Sequence, residues 1–263
     1  MKGRKIKFFL VSLVIGTLYC ADVRYDFFRL REISLSPIGV FSDVTAWKAV
    51  PKGAQVFWPL LLFDGRDFVR SIERYYPVSV KLSVSGWGKY KLDISPLEPL
   101  LYVSWNSKIW LLSRNGRMWP ADLPSNAGVK GMTLPKRPIL AWDKGLATPI
   151  DQHAQSGVIY NSSLPMAKIE KWYDAIDKMG WGEQVYCVMA KKIDGRPVVQ
   201  LLMGSQEGIA SEVILKQDTS DWPRVAAALG EIYGDRLSAL PKGLFVNATF
   251  TDSKFIVNSR DVK

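Results

Sequence analysis

The chain has 263 residues, 48% hydrophobic and 12% aromatic, which is enough apolar material for one large core or two small ones and excludes a chain that is disordered over most of its length. Net charge is +10, but Lys2, Arg4, Lys5 and Lys7 supply four of those charges. The remainder is mildly basic and has no dense Lys/Arg stripe with interleaved aromatics, which argues against nucleic acid as a partner.

The basic start runs into an uncharged stretch from Phe8 to Ala21. A basic flank stays on the cytoplasmic side while the apolar stretch enters the bilayer, so residues from about Asp22 onward are expected outside the cytoplasm. As a helix the stretch rises roughly 21 Å against a hydrocarbon core of about 30 Å, which by length favours a signal-peptide core. The sequence Thr17-Leu18-Tyr19-Cys20-Ala21 offers no good pair of small residues for cleavage, which favours a retained anchor. The expectation is a cytoplasmic tail over residues 1–7 and a transmembrane signal anchor over 8–23. The alternative is an exported envelope binding protein or enzyme whose signal peptide is removed. Cys20 in this segment and Cys187 in an expected strand are badly placed to pair, so the exported part is held by its core without disulfides.

Leu30 to Ser36 alternates apolar and polar residues, the period of a half-buried strand, and ends at Pro37. Ser42 or Asp43 caps a short helix to Val50, halted by Pro51 and Gly53, and Asp64 caps a second helix ended by Pro77. Val78 to Val84 and Tyr90 to Ile94 then alternate on either side of a Gly86 to Gly88 turn. Pro96 and Pro99 mark a junction, because two prolines so close break both strand pairing and helix.

Beyond it, Leu100 to Trp105 and Lys108 to Ser113 read as short strands, and Asn115-Gly116 suits the positive dihedrals of a hairpin turn. Pro120 to Pro138 is loop-rich, and Pro138 to Trp142 reads as a buried strand. Ser163 caps a helix with Ile169, Trp172, Tyr173 and Ile176 on one face, closed by Gly180. Val185 to Ile193, Val198 to Met203 and Ile209 to Lys216 form a meander, and Asp221 caps a last helix through Tyr233. Leu244 to Phe250 and Lys254 to Val257 are the final strand candidates.

Chemistry-bearing motifs are scarce. His153 is the sole histidine, in a stretch without Cys, Asp or Glu at metal-ligand spacing, and reads as a solvated loop residue. No Gly-x-Ser-x-Gly elbow occurs, and Gly86-Trp87-Gly88 lacks the third glycine and the helix of a nucleotide loop. Acid pairs such as Asp174 and Asp177, or Glu207 and Glu212, read as solvated faces. No catalytic residue, cofactor-binding residue or metal ligand is expected, and the chain is not expected to be an enzyme. An outer-membrane assembly factor would need a barrel of many strands for which there is no room.

The order of elements resembles the FtsQ/DivIB family of bacterial cell-division proteins over nearly the whole length. Lys52-Gly53-Ala54-Gln55-Val56-Phe57 looks like that family's glycine-containing stretch after the first helix, and Ile72 to Val84 looks like its helix end, Pro-Val and following strand. Glu98 to Trp105 and Trp110 to Trp119 are similar to its Glu-Arg-x-Pro-x-Ala-x-Trp segment and the sequel to it. The fold this implies is α+β: an N-terminal transmembrane helix, a POTRA domain (βααββ) over 30–96, a larger mixed α/β "β domain" over 97–258 with a C-terminal antiparallel sheet, and a tail over 259–263. The function it implies is a bitopic divisome scaffold, single-pass in the bacterial inner membrane and enriched at the septum. It would bind FtsB/DivIC-like and FtsL-like coiled-coil proteins and other divisome components, and help recruit and regulate septal peptidoglycan synthesis. In that family the partner adds to the sheet edge formed by the last strand. The matching segment is Leu244 to Thr251, with Phe245, Asn247, Thr249 and Thr251 facing outward, Lys254 and Phe255 at the rim, and Leu244, Val246, Ala248 and Phe250 as the more apolar, core-facing set.

Overall fold

The computed structural model describes residues 13–14, 16–17, 20, 24, 26–37, 42–126, 129, 132–150, 158–204, 211–233, 243–249 and 256–259. The chain divides into two units, one of residues 1–97 with 124–131 and one of 98–123 with 132–263.

In the first unit, strand β1 (Glu32–Ser36) is followed by helices α1 (Asp43–Ala49), α2 (Lys52–Val56) and α3 (Leu60–Glu73), then strands β2 (Val78–Gly86) and β3 (Lys89–Pro96). The sheet order is β1-β3-β2, with β1 parallel and β2 antiparallel to β3. Three helices stand where two are expected. Pro51 and Pro59 precede helices rather than ending them, because proline lacks only an N–H that a helix start leaves unpaired. Asp64 therefore lies inside α3, not at its cap. The core side of α3 carries Leu61, Phe68 and Ile72 onto Val78, Val80, Tyr90, Leu92 and Ile94, and each such side chain contributes about 1.5–3 kcal/mol when removed from water. Gly65 permits this approach, since a Cβ there would stand 2.8 Å from Leu82 Cδ2.

The β2–β3 turn depends on Gly88, which has φ of 67° and leaves only 2.8 Å between a built Cβ and the Arg29 carbonyl oxygen. That crowding involves backbone, which cannot step aside as a side chain can. Gly88→Ala is expected to cost about 1–2 kcal/mol for the left-handed conformation alone, lowering the first unit's melting midpoint by several degrees in circular dichroism. An unchanged midpoint would contradict this packing.

In the second unit the strands are β4 (Pro99–Trp105), β5 (Lys108–Ser113), β6 (Arg117–Pro120), β7 (Ile139–Trp142), β8 (Tyr160–Asn161), β9 (Val185–Ile193), β10 (Arg196–Met203), β11 (Ser211–Lys216), β12 (Leu244–Asn247) and β13 (Ile256–Ser259). They form one sheet in the order β13-β12-β11-β10-β9-β7-β4-β5-β6-β8. Helix α4 (Met166–Lys178) contributes Ile169, Trp172, Tyr173 and Ile176 to the core, and α5 (Trp222–Tyr233) contributes Trp222, Val225 and Leu229. Their sheet partners include Val188, Val199, Leu201, Val213, Leu215, Leu244 and Val246. The cap positions differ from expectation. Ser163 donates its hydroxyl to the Thr148 carbonyl rather than capping α4, and Asp218, not Asp221, caps the turn leading into α5 by accepting from the Ser220 N–H.

Two parts of the expected fold class are corrected. Among the described residues strand outweighs helix, the five helices are short, and no helix is long and apolar enough to cross a membrane. The α+β architecture with an N-terminal transmembrane helix is therefore not what is found. Lys7 and Asp22 bound the uncharged run at a length below the roughly 20 residues that a span requires. The C-terminal sheet is also not antiparallel throughout. β12 runs parallel to β11, because α5 intervenes and carries the chain back to the starting end of the sheet.

Candidate partner-binding edge

β12 has neighbours on both sides. It pairs in parallel with β11 through Glu212↔Phe245 and Ile214↔Asn247, and in antiparallel fashion with β13 through Phe245↔Asn258 and Asn247↔Ile256. The segment expected to offer an open edge is thus interior, and among the described residues the sheet ends at β13. Leu244 and Val246 are buried in the core, whereas Phe245 and Asn247 are half-buried on the other face. Asn247 turns its side chain back on the chain, with Oδ1 accepting from both the N–H and the hydroxyl of Thr249 at 3.1 and 2.8 Å. Thr251, Lys254 and Phe255 lie outside the described residues, as do Phe250, His153 and Glu207.

The direction of the backbone groups follows from one hydrogen bond. The Ala248 N–H donates to the Ile214 carbonyl at 2.9 Å, so even-numbered residues of this segment direct their backbone toward β11. Phe245 and Asn247 then direct theirs toward β13, since successive residues of a strand alternate. Across the antiparallel pair, Asn258 and Ile256 complete those bonds, which leaves the N–H and C=O of Val257 and Ser259 facing away from the sheet. β13 is four residues long and so offers only this short row. Short edges are one way proteins limit indiscriminate pairing.

Among the described residues the first unit's sheet ends on one side at β2, beside a groove of about 460 Å³ lined by Leu61, Gly65, Val69, Val80, Leu82 and Val84. Its use for strand addition is limited at one end, because the Val80 N–H already donates to Glu73 Oε1 at 2.9 Å.

Burial raises the pKa of Tyr173, whose hydroxyl donates to the Pro138 carbonyl at 2.9 Å. Burial likewise raises the Cys187 thiol on β9, with the Ala141 backbone opposing the shift. A raised thiol pKa means less thiolate at neutral pH, so Cys187 is expected to react with Ellman's reagent far more slowly in the folded chain than in the urea-unfolded chain, and to speed up as pH rises. Equal rates at pH 7 would contradict that burial. Among the described residues no three His, Cys, Asp or Glu side chains are grouped to hold a metal ion.

No protein-family model matches this sequence, and no curated protein matches it.

What sequence reasoning missed was the position of the edge rather than the presence of strands. Lys254 to Val257 reads as a strand candidate, and the strand found, Ile256–Ser259, returns antiparallel onto β12 and so takes the edge from it. The available signal was the polar stretch Thr251-Asp252-Ser253 between two apolar runs, which is turn-forming composition.

Proposed function

We propose that this chain is a scaffold of bacterial cell division, of the FtsQ/DivIB kind, which recruits its partner by strand addition at β13. The observation that carries the reading is the C-terminal edge: a strand that ends the sheet among the described residues and directs the N–H and C=O groups of Val257 and Ser259 away from β12, on a sheet anchored by a large aromatic core. The first unit is consistent with this reading, because a strand, helices and a hairpin close into the three-stranded sheet β1-β3-β2. The basic start followed by the uncharged run Phe8 to Ala21 supports placing both units outside the cytoplasm, and the division reading puts them at the septum. The partner proposed is an FtsB/DivIC-like and FtsL-like coiled-coil pair, with control of septal peptidoglycan synthesis as the outcome. No catalysis and no cofactor enter the reading.

Affinity purification of the tagged full chain from crosslinked, dividing cells tests it. Enrichment of a small bitopic coiled-coil pair is expected. Recovery of the chain without such proteins, at a level that captures known envelope complexes from the same cells, would contradict the reading.

A further inference from the structure

The end of the first unit nearest the chain start carries a cluster of rings. Phe27 packs 5.1 Å from Phe28 and 4.6 Å from Trp87, Phe28 lies 5.1 Å from Phe57, and Trp58 lies 5.1 Å from Trp87. Backbone bonds hold these pieces together, with the Trp58 N–H donating to the Phe28 carbonyl and the Arg31 N–H to the Gly88 carbonyl. Val56 is 67% exposed, Phe57 42% and Trp87 47% here, and Phe63 on the first turn of α3 is 81% exposed, while Val44, Leu62, Tyr75 and Val84 are further exposed apolar side chains of the same unit. Exposed apolar side chains next to a cluster of rings make this end a candidate interaction surface.

We infer that this aromatic end of the first unit seats against the headgroup layer of an anionic phospholipid bilayer. Three observations favour a lipid surface over a protein partner. Phe27 follows Ala21 by six residues, at most about 20 Å of extended chain, so the patch stays close to whatever the uncharged run Phe8 to Ala21 enters. Second, the Trp87 indole N–H is already satisfied by the Phe27 carbonyl at 2.7 Å, so the ring can enter an apolar boundary without losing a hydrogen bond. Trp and Phe are residues that sit well at that depth. Third, the surrounding charge is basic. Arg29 pairs with Asp26 and Lys89 with Glu32, while Arg31 and Lys52 form no ion pair among the described residues. Each such cation contributes attraction to an anionic leaflet within about a Debye length. This seat does not depend on the division reading, because it concerns the first unit and lipid alone.

The test uses the full chain with Cys20 and Cys187 changed to serine, reconstituted in phosphatidylglycerol–phosphatidylcholine vesicles that carry a shallow nitroxide-labelled lipid. A fluorophore is placed on a single cysteine at Val56→Cys, at Phe63→Cys, or at Ser95→Cys on the exposed far end of β3, and circular dichroism confirms that each variant folds. Quenching at positions 56 and 63 is expected to exceed that at 95 at least twofold. Adding Arg31→Glu with Lys52→Glu should reduce quenching at 56 by half or more. Quenching at 56 and 63 no greater than at 95 would overturn the proposal, since all three sites lie on the same folded unit. Quenching at 56 that is insensitive to the charge reversal would also overturn it as an anionic-lipid site.

Discussion

Trp172→Ala is expected to unfold the second unit at or near growth temperature. The Trp172 side chain is fully buried, lies between α4 and the sheet among the largest core residues, and donates its indole N–H to the Gln217 carbonyl at 2.9 Å. Truncation of a buried tryptophan costs about 3–5 kcal/mol through lost transfer energy and the cavity left behind. The Gln217 carbonyl would also lose its partner, which adds about 1 kcal/mol or more if water cannot reach it. Set against a total stability of about 5–15 kcal/mol, that loss removes from roughly a quarter to all of the margin. Trp172→Phe keeps most of the volume and should lose clearly less. Urea titration followed by tryptophan fluorescence and circular dichroism measures both, and a Trp172→Ala loss below about 1 kcal/mol would contradict the core as described.

The second large effect belongs to binding rather than folding. Val257→Pro removes an N–H that faces away from β12, so it breaks no bond of the existing ladder, and proline is tolerated on an edge with that orientation. A strand adding to β13 loses that donor and meets the pyrrolidine ring. Affinity for the partner is expected to fall about tenfold or more, equivalent to about 1.4 kcal/mol, while the melting midpoint shifts by only a few degrees. Asn247→Pro should do the reverse. Its N–H faces β13, and its side chain holds Thr249, so the substitution damages the sheet itself. Phe245→Ala tests the half-buried ring next to that edge, with a loss of about 2 kcal/mol or more expected if it is a binding anchor. Binding by folded Val257→Pro that equals the unchanged chain would place the partner elsewhere.

These two variants also show which parts of the structure were legible in the sequence. The face Ile169, Trp172, Tyr173 and Ile176 recurs at helical spacing and is buried as that spacing implies, because a single apolar stripe has one way to leave water. The alternation of Leu244 and Val246 likewise placed them in the core. Helix starts were less legible. Asp64, Ser163 and Asp221 are good capping residues by type, yet Pro59, Pro165 and Asp218 stand at the caps, since capping depends on where tertiary packing lets a helix begin. The edge was hidden for a different reason. Whether β12 or β13 ends the sheet depends on a pairing between two short strands, and neither strand's own pattern states which neighbour it will take. The parallel run of β12 beside β11 was hidden in the same way, because it follows from the return path after α5.

Depletion and rescue in growing cells test the proposed role most directly. Cells depleted of the chain should elongate into undivided filaments. Restoring the unchanged chain should restore septa, whereas Val257→Pro at an equal protein level should leave the filaments undivided. Depleted cells that keep dividing at normal length would contradict the scaffold role.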